Sequence, residues 1–326
     1  MTTRRTLLAA AGAAGLLATV PFRSARAQTM LKFSSPAPAT DPAHKAIEHF
    51  AKLAQERSGG QISTRIFPGG QLGQHREVVQ GLQSGAIELA FFSSTHLVNF
   101  APEFAVLDLP YLISKREQVA PLLDGDFGRL LMSKLDKIGL TGLCFTEASF
   151  RGLMVRKPIK GPGDLAGMKI RVPNSPLYVG MFKAMGALPT PLAFGEMYSA
   201  LQQGVVDGAE NSVSAYVAYK FNEVAPHFYY SNHVLGPGIF VASTKALEKM
   251  NEAQKKLVVS TAVEAGQYHR KIEWEETDAF MAKAKAAGAT FNPIDVGPWV
   301  TATRPLYKDY EARIGADVMA RVASIK

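Results

Sequence analysis

Short apolar runs alternate with helix-length periodic stretches, and this alternation restricts the folds open to the chain. Residues 30–34 read as a strand. Asp41 and Pro42 then open a helix over 43–57, with Asp as N-cap and Pro at the first helical position. Gly59 and Gly60 end it. Residues 61–67 alternate as a second strand, stopped by Pro68, Gly69 and Gly70; a helix over 74–83 and a strand over 86–92 follow. A βαβαβ opening of this kind builds a mostly parallel sheet in an α/β fold.

The pattern continues beyond one sheet. Residues 141–145 and 152–155 are strand-like and carry the chain toward a second unit. There, residues 169–172, 187–191 and 205–210 are strand-like, each with a helix before or after it. Residues 252–287 are rich in Ala, Lys and Glu and periodic, and read as one or two helices packing along both units. The chain has no internal repeat and no low-complexity linker.

The first 27 residues have a different character. Arg4 and Arg5 precede an Ala- and Gly-rich apolar run over 7–20, and Ala25-Arg26-Ala27 is a small-x-small cleavage site. This is the layout of a secretory leader. The run is shorter than the about 20 residues a spanning helix needs, and the paired arginine points to the twin-arginine route. A mature periplasmic chain is therefore expected from about Gln28. No later stretch is apolar enough to span a membrane, so the product is not expected to be membrane-embedded. The 299 residues after Ala27 suit two lobes, because single cores stop growing near about 250–300 residues.

Charge and motif content narrow the function. The leader arginines (Arg4, Arg5, Arg23 and Arg26) account for half of the formal +8, leaving +4 on the mature chain. That mild excess, with no Lys/Arg cluster interleaved with aromatics, gives no nucleic-acid signature. Cys144 is the single cysteine and sits in an apolar run, as a buried hydrophobe does. There is no G-x-S-x-G elbow and no phosphate-binding G-x-x-x-x-G-K-[ST] loop. Gly161, Gly163 and Gly167 miss the dinucleotide spacing by one. His44 and His49 lack the H-E-x-x-H pattern, and no cysteine pair offers a zinc site. No enzyme, metal or cofactor is expected.

The informative block runs from Lys169 to Asn211. Arg171 lies at the end of a strand closed by Pro173, and strand ends are where open α/β folds collect ligands. Its planar, permanently charged fork matches a carboxylate. A surface or structural ion pair would use the same residue, so the arginine alone leaves both readings open.

Its surroundings carry more. Gly167-Met168-Lys169-Ile170-Arg171-Val172-Pro173-Asn174, Gly186-Ala187 through Pro191, Phe194, Tyr198, Leu201-Gln202, Gly204, Val206-Asp207-Gly208 and Glu210-Asn211 stand in this order. Outside the block stand Phe67-Pro68-Gly69-Gly70-Gln71-Leu72-Gly73, Leu109-Pro110-Tyr111 and Asn232-His233. Together they resemble the solute-binding subunits of tripartite ATP-independent periplasmic (TRAP) transporters, the DctP-type family, over essentially the whole mature chain. The resemblance implies a two-lobed α/β periplasmic-binding fold with discontinuous lobes, hinge strands, a long lobe-spanning helix and a ligand cleft between the lobes. It divides the chain into a leader (1–27), a first lobe (28–148 with 237–276) and a second lobe (149–236 with 277–326).

The resemblance also implies roles. Arg171 matches the arginine that pairs with the ligand carboxylate, and Arg151 a second arginine close to it. Asn174 and Asn211 match polar contacts, although Asn also caps helices and turns. Phe194 matches an aromatic that covers the ligand. Relatives bind C4-dicarboxylates, keto or hydroxy acids, sugar acids or aromatic acids. The first lobe departs from the sialic-acid branch: Ser93 and Ser94 stand where that branch has an acid, and Pro36 lies in an early loop that is polar there. These departures favour a smaller or more apolar acid. His96, near that loop, offers a donor or a pH-dependent charge, and Tyr178 and Tyr216 suit an amphipathic wall. The resemblance further implies small and large membrane permease subunits as partners, delivery by lobe closure, and a monomer. A binding protein that feeds a sensor, or a periplasmic enzyme acting on organic acids, are the alternatives.

Overall fold

The computed structural model describes residues 28–146 and 149–323. The expected leader, with its twin arginine and cleavage site, lies outside these residues.

The opening pattern folds as read. Strand β1 (Thr29–Ser34) lies parallel to β2 (Ile62–Phe67), pairing Thr29 with Ile62 through Ser34 with Phe67, and parallel to β3 (Leu89–Ser93). Between them, Asp41 accepts the Ala43 N–H at 2.8 Å and caps the helix Pro42–Arg57. The helix His75–Ser84 ends at Gly85, whose φ of 81° needs no Cβ. The chain adds β4 (Leu140–Phe145), then leaves for a second sheet built from β5 (Gly152–Val155), β6 (Lys169–Val172), β7 (Leu188–Pro191), β8 (Gly208–Asn211) and β9 (His227–Tyr229). It returns as β10 (Gly238–Ser243), completing the first sheet in the order β2-β1-β3-β10-β4. After the long helix, β11 (Thr290–Asn292) closes the second in the order β11-β9-β5-β8-β6-β7.

Neither sheet is purely parallel. β10 runs antiparallel to β3 and β4, and β5 antiparallel to β8 and β9. These are the strands through which the chain enters and re-enters a sheet. The two crossings lie side by side: Phe150 bridges Leu235, Arg151 N–H donates to Val234 O at 2.9 Å, and Thr146 N–H donates to Gly238 O at 2.8 Å. A paired crossing makes the two strands it feeds antiparallel to their neighbours.

One helix, Glu252–Ala286, links the lobes. It starts with a capping box in which Asn251 Oδ1 accepts Gln254 N–H at 2.9 Å and Gln254 Oε1 accepts Asn251 N–H at 3.1 Å. At 1.5 Å per residue it runs about 50 Å. Its first half packs Val258, Ala262 and Ala265 with Phe33, Phe50 and Phe240; farther on, Ala284 joins the core around Tyr216 and Phe228. Gly266 makes the strand contact possible, because a Cβ there would lie 2.7 Å from Cys144 Sγ. Burial pushes that thiol up to about 12, so Cys144 is an inert core residue.

A third apolar cluster runs without a break from Val78, Phe92 and Leu131 to Ile170, Tyr178 and Phe182, and takes in Trp299, Leu306, Ile314 and Val318 of the tail. The tail helices Pro305–Ile314 and Ala316–Ala323 therefore touch both lobes. Tyr307 Oη donates to Pro110 O at 2.8 Å, and Lys134 Nζ pairs with Asp317 at 2.7 Å.

No helix of the described residues is long and apolar enough to cross a membrane.

Candidate functional site

A cavity of about 100 Å³ lies where the two sheets face each other across the hinge crossings. Arg171, Arg151, Asn211, Phe194, Ser93 and His96 all line it.

Arg171 projects from β6 and is 1% exposed. Register with β7 carries the chain to Leu192, whose carbonyl accepts both Nε (3.1 Å) and Nη2 (2.8 Å) of the guanidinium. Its charge centre lies 5.9 Å from the Phe194 ring. These partners are neutral, and Arg171 forms no ion pair among the described residues. Burial, opposed by the Glu210 charge and reinforced by that of Arg151, lowers its pKa to about 10, so it stays charged at neutral pH.

Arg151 is placed differently. Nε donates to Glu210 Oε2 at 2.5 Å and Nη2 to Oε1 at 2.8 Å, a bidentate pair with both side chains under 10% exposed. Burial works against both charges, but each holds the other ionised: Glu210 is lowered to about 2 and Arg151 is raised above the ordinary arginine value. His233 Nε2 stands 3.3 Å from Glu210 Oε2, and its Nδ1 lies 2.9 Å from Ser231 Oγ. Arg151 is thus neutralised within the protein, whereas Arg171 is not.

Of the remaining expected residues, Asn211 ends β8 with Oδ1 fixed by the Ser212 N–H at 2.9 Å. Ser93 Oγ lies 3.4 Å from Thr95 Oγ1. His96 stacks on His75, with ring centroids 3.4 Å apart and planes 15° from parallel. Burial, then the neighbouring ring and arginines, hold His96 well below the ordinary histidine value; burial and Arg171 lower His75 to about 3. The pH-dependent charge expected of His96 is therefore not available near neutrality; both rings are neutral.

Three expected residues lie elsewhere. Asn174 is exposed beyond Pro173, and its carbonyl accepts Asn99 Nδ2 at 2.8 Å. Pro173, the residue before it, lines the cavity, and Asn174 does not. Tyr216 is fully buried in the second-lobe core, its Oη donating to Ala225 O at 2.9 Å; Tyr219, three residues on, lines the cavity instead. Tyr178 is also core, 5.8 Å from Arg151.

Residues without a local signal complete the wall. His75 opens the helix after the Gly-rich turn. Asp41 caps its helix with one oxygen and borders the cavity. Ser212 and Ser214 stand at the start of the helix Val213–Ala218, and His269 and Glu273 come from the long helix. Ser214 Oγ (2.5 Å) and Ser149 Oγ (3.0 Å) both donate to Glu273 Oε1. Burial raises Glu273 to about 7, with Asp41 adding to the rise, and raises Asp41 to about 6. Only tertiary folding assembles this group; in sequence its members read as a cap, a turn and part of a helix.

The lobes touch across the cavity mouth. Thr40 Oγ1 donates to Ala218 O at 3.3 Å, and a Cβ on Gly195 would lie 2.8 Å from Gln74 Nε2.

The arrangement has counterparts. Residues 33–313 match the family model described as bacterial extracellular solute-binding protein, family 7 (DctP). The chain belongs to this family. It is 31% identical to the C4-dicarboxylate-binding periplasmic protein DctP of Rhodobacter capsulatus, over 99% of this chain and 98% of that one. Among solved structures, a TRAP periplasmic solute-binding protein from Sulfurospirillum deleyianum with bound succinate superposes with a TM-score of 0.87 (32% identity, 92% and 100% of the chains covered). One from a Polaromonas species bound to D-erythronate gives 0.88 (30% identity, 92% and 99% covered). This DctP-family chain has the two-lobed α/β fold of those proteins, which are substrate-binding proteins of transporters and not enzymes.

Proposed function

We propose that this protein is the periplasmic solute-binding subunit of a TRAP transporter and captures an organic-acid anion. The observation that carries the reading is Arg171, a charged guanidinium buried in the inter-lobe cavity with no carboxylate partner among the described residues. Burying an unpaired charge is costly, and an anionic ligand offsets that cost. The relatives support the ligand class: their bound molecules include succinate, D-erythronate and D-glucuronate, all carboxylates.

In this mechanism the ligand carboxylate meets Arg171, Phe194 covers it, and Asn211 orients it. Arg151, balanced by Glu210, holds the hinge side of the cavity. The lobes, divided at 28–148 with 237–276 and 149–236 with 277–326, close around the anion, with the tail helices bridging them. Closure follows from the ligand's greater affinity for the closed state. The closed form docks on the small and large permease subunits in the membrane. Export by the leader over 1–27, through the twin-arginine route, places the protein in the periplasm as a monomer.

A thermal-shift screen of the mature chain against organic acids, sugar acids and neutral sugars tests the proposal. A ligand at 100 times its Kd adds about 2.7 kcal/mol, a clear rise in Tm. Shifts confined to carboxylates are expected. Shifts with neutral sugars or amines, and none with carboxylates, would mean that Arg171 is structural.

A further inference from the structure

Behind the cavity lies a buried acid that the carboxylate site does not itself use. Asp108 ends the 3-10 turn Pro102–Asp108 and is fully buried. Thr95 Oγ1 donates to its Oδ1 at 2.7 Å, while Oδ2 is buried with no hydrogen-bond partner. Asp108 makes no ion pair among the described residues. Burial raises its carboxyl to about 7, the Thr95 hydrogen bond and the more distant Arg151 charge work against that rise, and Glu210 adds to it. Tyr178 is buried nearby and uncharged. On the tail helices packed against the turn, Tyr307 donates to Pro110 O, Arg313 lies against Tyr310, and Asp317 pairs with Lys134.

Thr95 connects this acid to the ligand space. Thr95 and Ser93 both line the cavity, and Ser93 Oγ lies 3.4 Å from Thr95 Oγ1. That separation exceeds the usual O–H···O range of about 2.5–3.0 Å, so the Ser93 hydroxyl turns readily. A Cβ on Gly236 would lie 3.7 Å from Ser93 Oγ and 3.5 Å from Arg151 Nη1, which places this hydroxyl beside the arginine.

We infer that Asp108 is a positioning residue that sets the hydrogen-bond polarity of the Ser93–Thr95 wall toward the ligand. The inference rests on the carboxylate reading of the cavity. An ionised carboxylate only accepts, so Thr95 must give it its one proton, and Ser93 turns its own toward Thr95. The wall then offers lone pairs, which repel an anion. A protonated Asp108 donates from Oδ1 to Thr95 Oγ1. The Thr95 proton is released toward Ser93, and the wall ends in an O–H aimed at the cavity. An anion favours this second state twice over, because it accepts from the O–H and because its charge raises a neighbouring carboxyl. Binding therefore takes up a proton at Asp108, and affinity falls as pH rises above the ligand-free value of about 7.

Titration calorimetry of the mature protein from pH 5.5 to 8.5 tests this, with succinate, D-erythronate and D-glucuronate as probes. Affinity for the probes that bind should be level below pH 7 and fall about tenfold by pH 8.5. Asp41 and Glu273 also line the cavity and are raised to about 6 and about 7, so two variants assign the effect. Asp108→Asn cannot ionise and should flatten the fall. Thr95→Val should weaken binding about tenfold at pH 6, the worth of one good hydrogen bond to a charged group, and much less at pH 8.5, where Thr95 has no proton to offer. A merely structural role predicts equal losses at both. A fall as steep in Asp108→Asn as in the unmodified protein, or a Thr95→Val loss equal at both pH values, overturns this inference and leaves the Arg171 reading standing. No binding of any of the three probes at millimolar concentration overturns both.

Discussion

Two arginines 20 positions apart in sequence share one cavity and differ in what their charges meet. Arg151 is locked to Glu210 by two short hydrogen bonds, with His233 beside the same carboxylate. Removing one member of a buried pair strands the other charge, at about 3–5 kcal/mol. Arg151→Ala is therefore expected to lower unfolding free energy by about that amount in urea titration; an unchanged midpoint would contradict the structural role. Glu273 makes a separate prediction. Its carboxyl is raised to about 7, from an ordinary value of 4.5. Between these values the folded chain holds a proton that the unfolded chain has lost, so this group's contribution to stability falls as pH rises through the window. Asp41, raised to about 6, and Asp108, raised to about 7, act in the same direction. Melting curves of Glu273→Gln from pH 4.5 to 7.5 should fall less steeply than those of the unmodified protein, and parallel slopes would refute the assignment. At this scale the sequence was legible where a residue's role is set by its own strand end. Arg171, Arg151, Phe194 and Asn211 come to the cavity. Asn174 and Tyr216 do not: each lies within a few residues of the wall, beside Pro173 and Tyr219, and only the folded backbone decides which side chain turns inward. Asp41, His269 and Glu273 were hidden, since each has a sufficient local explanation.

At the scale of elements, the hinge crossings determine how the site is built. Thr146, Phe150 and Arg151 on the outgoing crossing pair with Gly238, Leu235 and Val234 on the returning one. Gly238 permits this approach: a Cβ there would lie 2.3 Å from Thr146 Oγ1 and 2.5 Å from the Phe91 ring. Gly238→Ala should cost about 1–3 kcal/mol, the usual range for overpacking, measured by thermal melts followed by circular dichroism. A melt identical to that of the unmodified protein would show that the crossing has slack. Strand and helix positions were readable from periodicity, caps and Pro/Gly stops; β1, β2, β6 and the long helix fall within a residue or two of their expected ranges. The direction of β5 and β10 was not readable, because it depends on which sheet the chain crosses into.

At the scale of the whole molecule, two sheets share one long helix, a paired hinge and a tail strap. The contacts Thr40–Ala218 and Asn99–Asn174 join the lobes across the cleft from that hinge. If ligand drives closure, saturating carboxylate should lower the radius of gyration in small-angle X-ray scattering, and identical profiles with and without ligand would argue against closure. The measurement that tests the central claim most directly is calorimetric titration of the mature protein and its Arg171→Ala variant with a carboxylate identified by thermal shift. If Arg171 receives the ligand carboxylate, its loss predicts affinity lower by at least 100-fold, consistent with about 3–5 kcal/mol for a broken buried pair. The ligand-free variant should stay folded, with a melting temperature lowered only by loss of the two hydrogen bonds to Leu192 O. Near-wild-type affinity in Arg171→Ala would show that the carboxylate binds elsewhere and contradict the account.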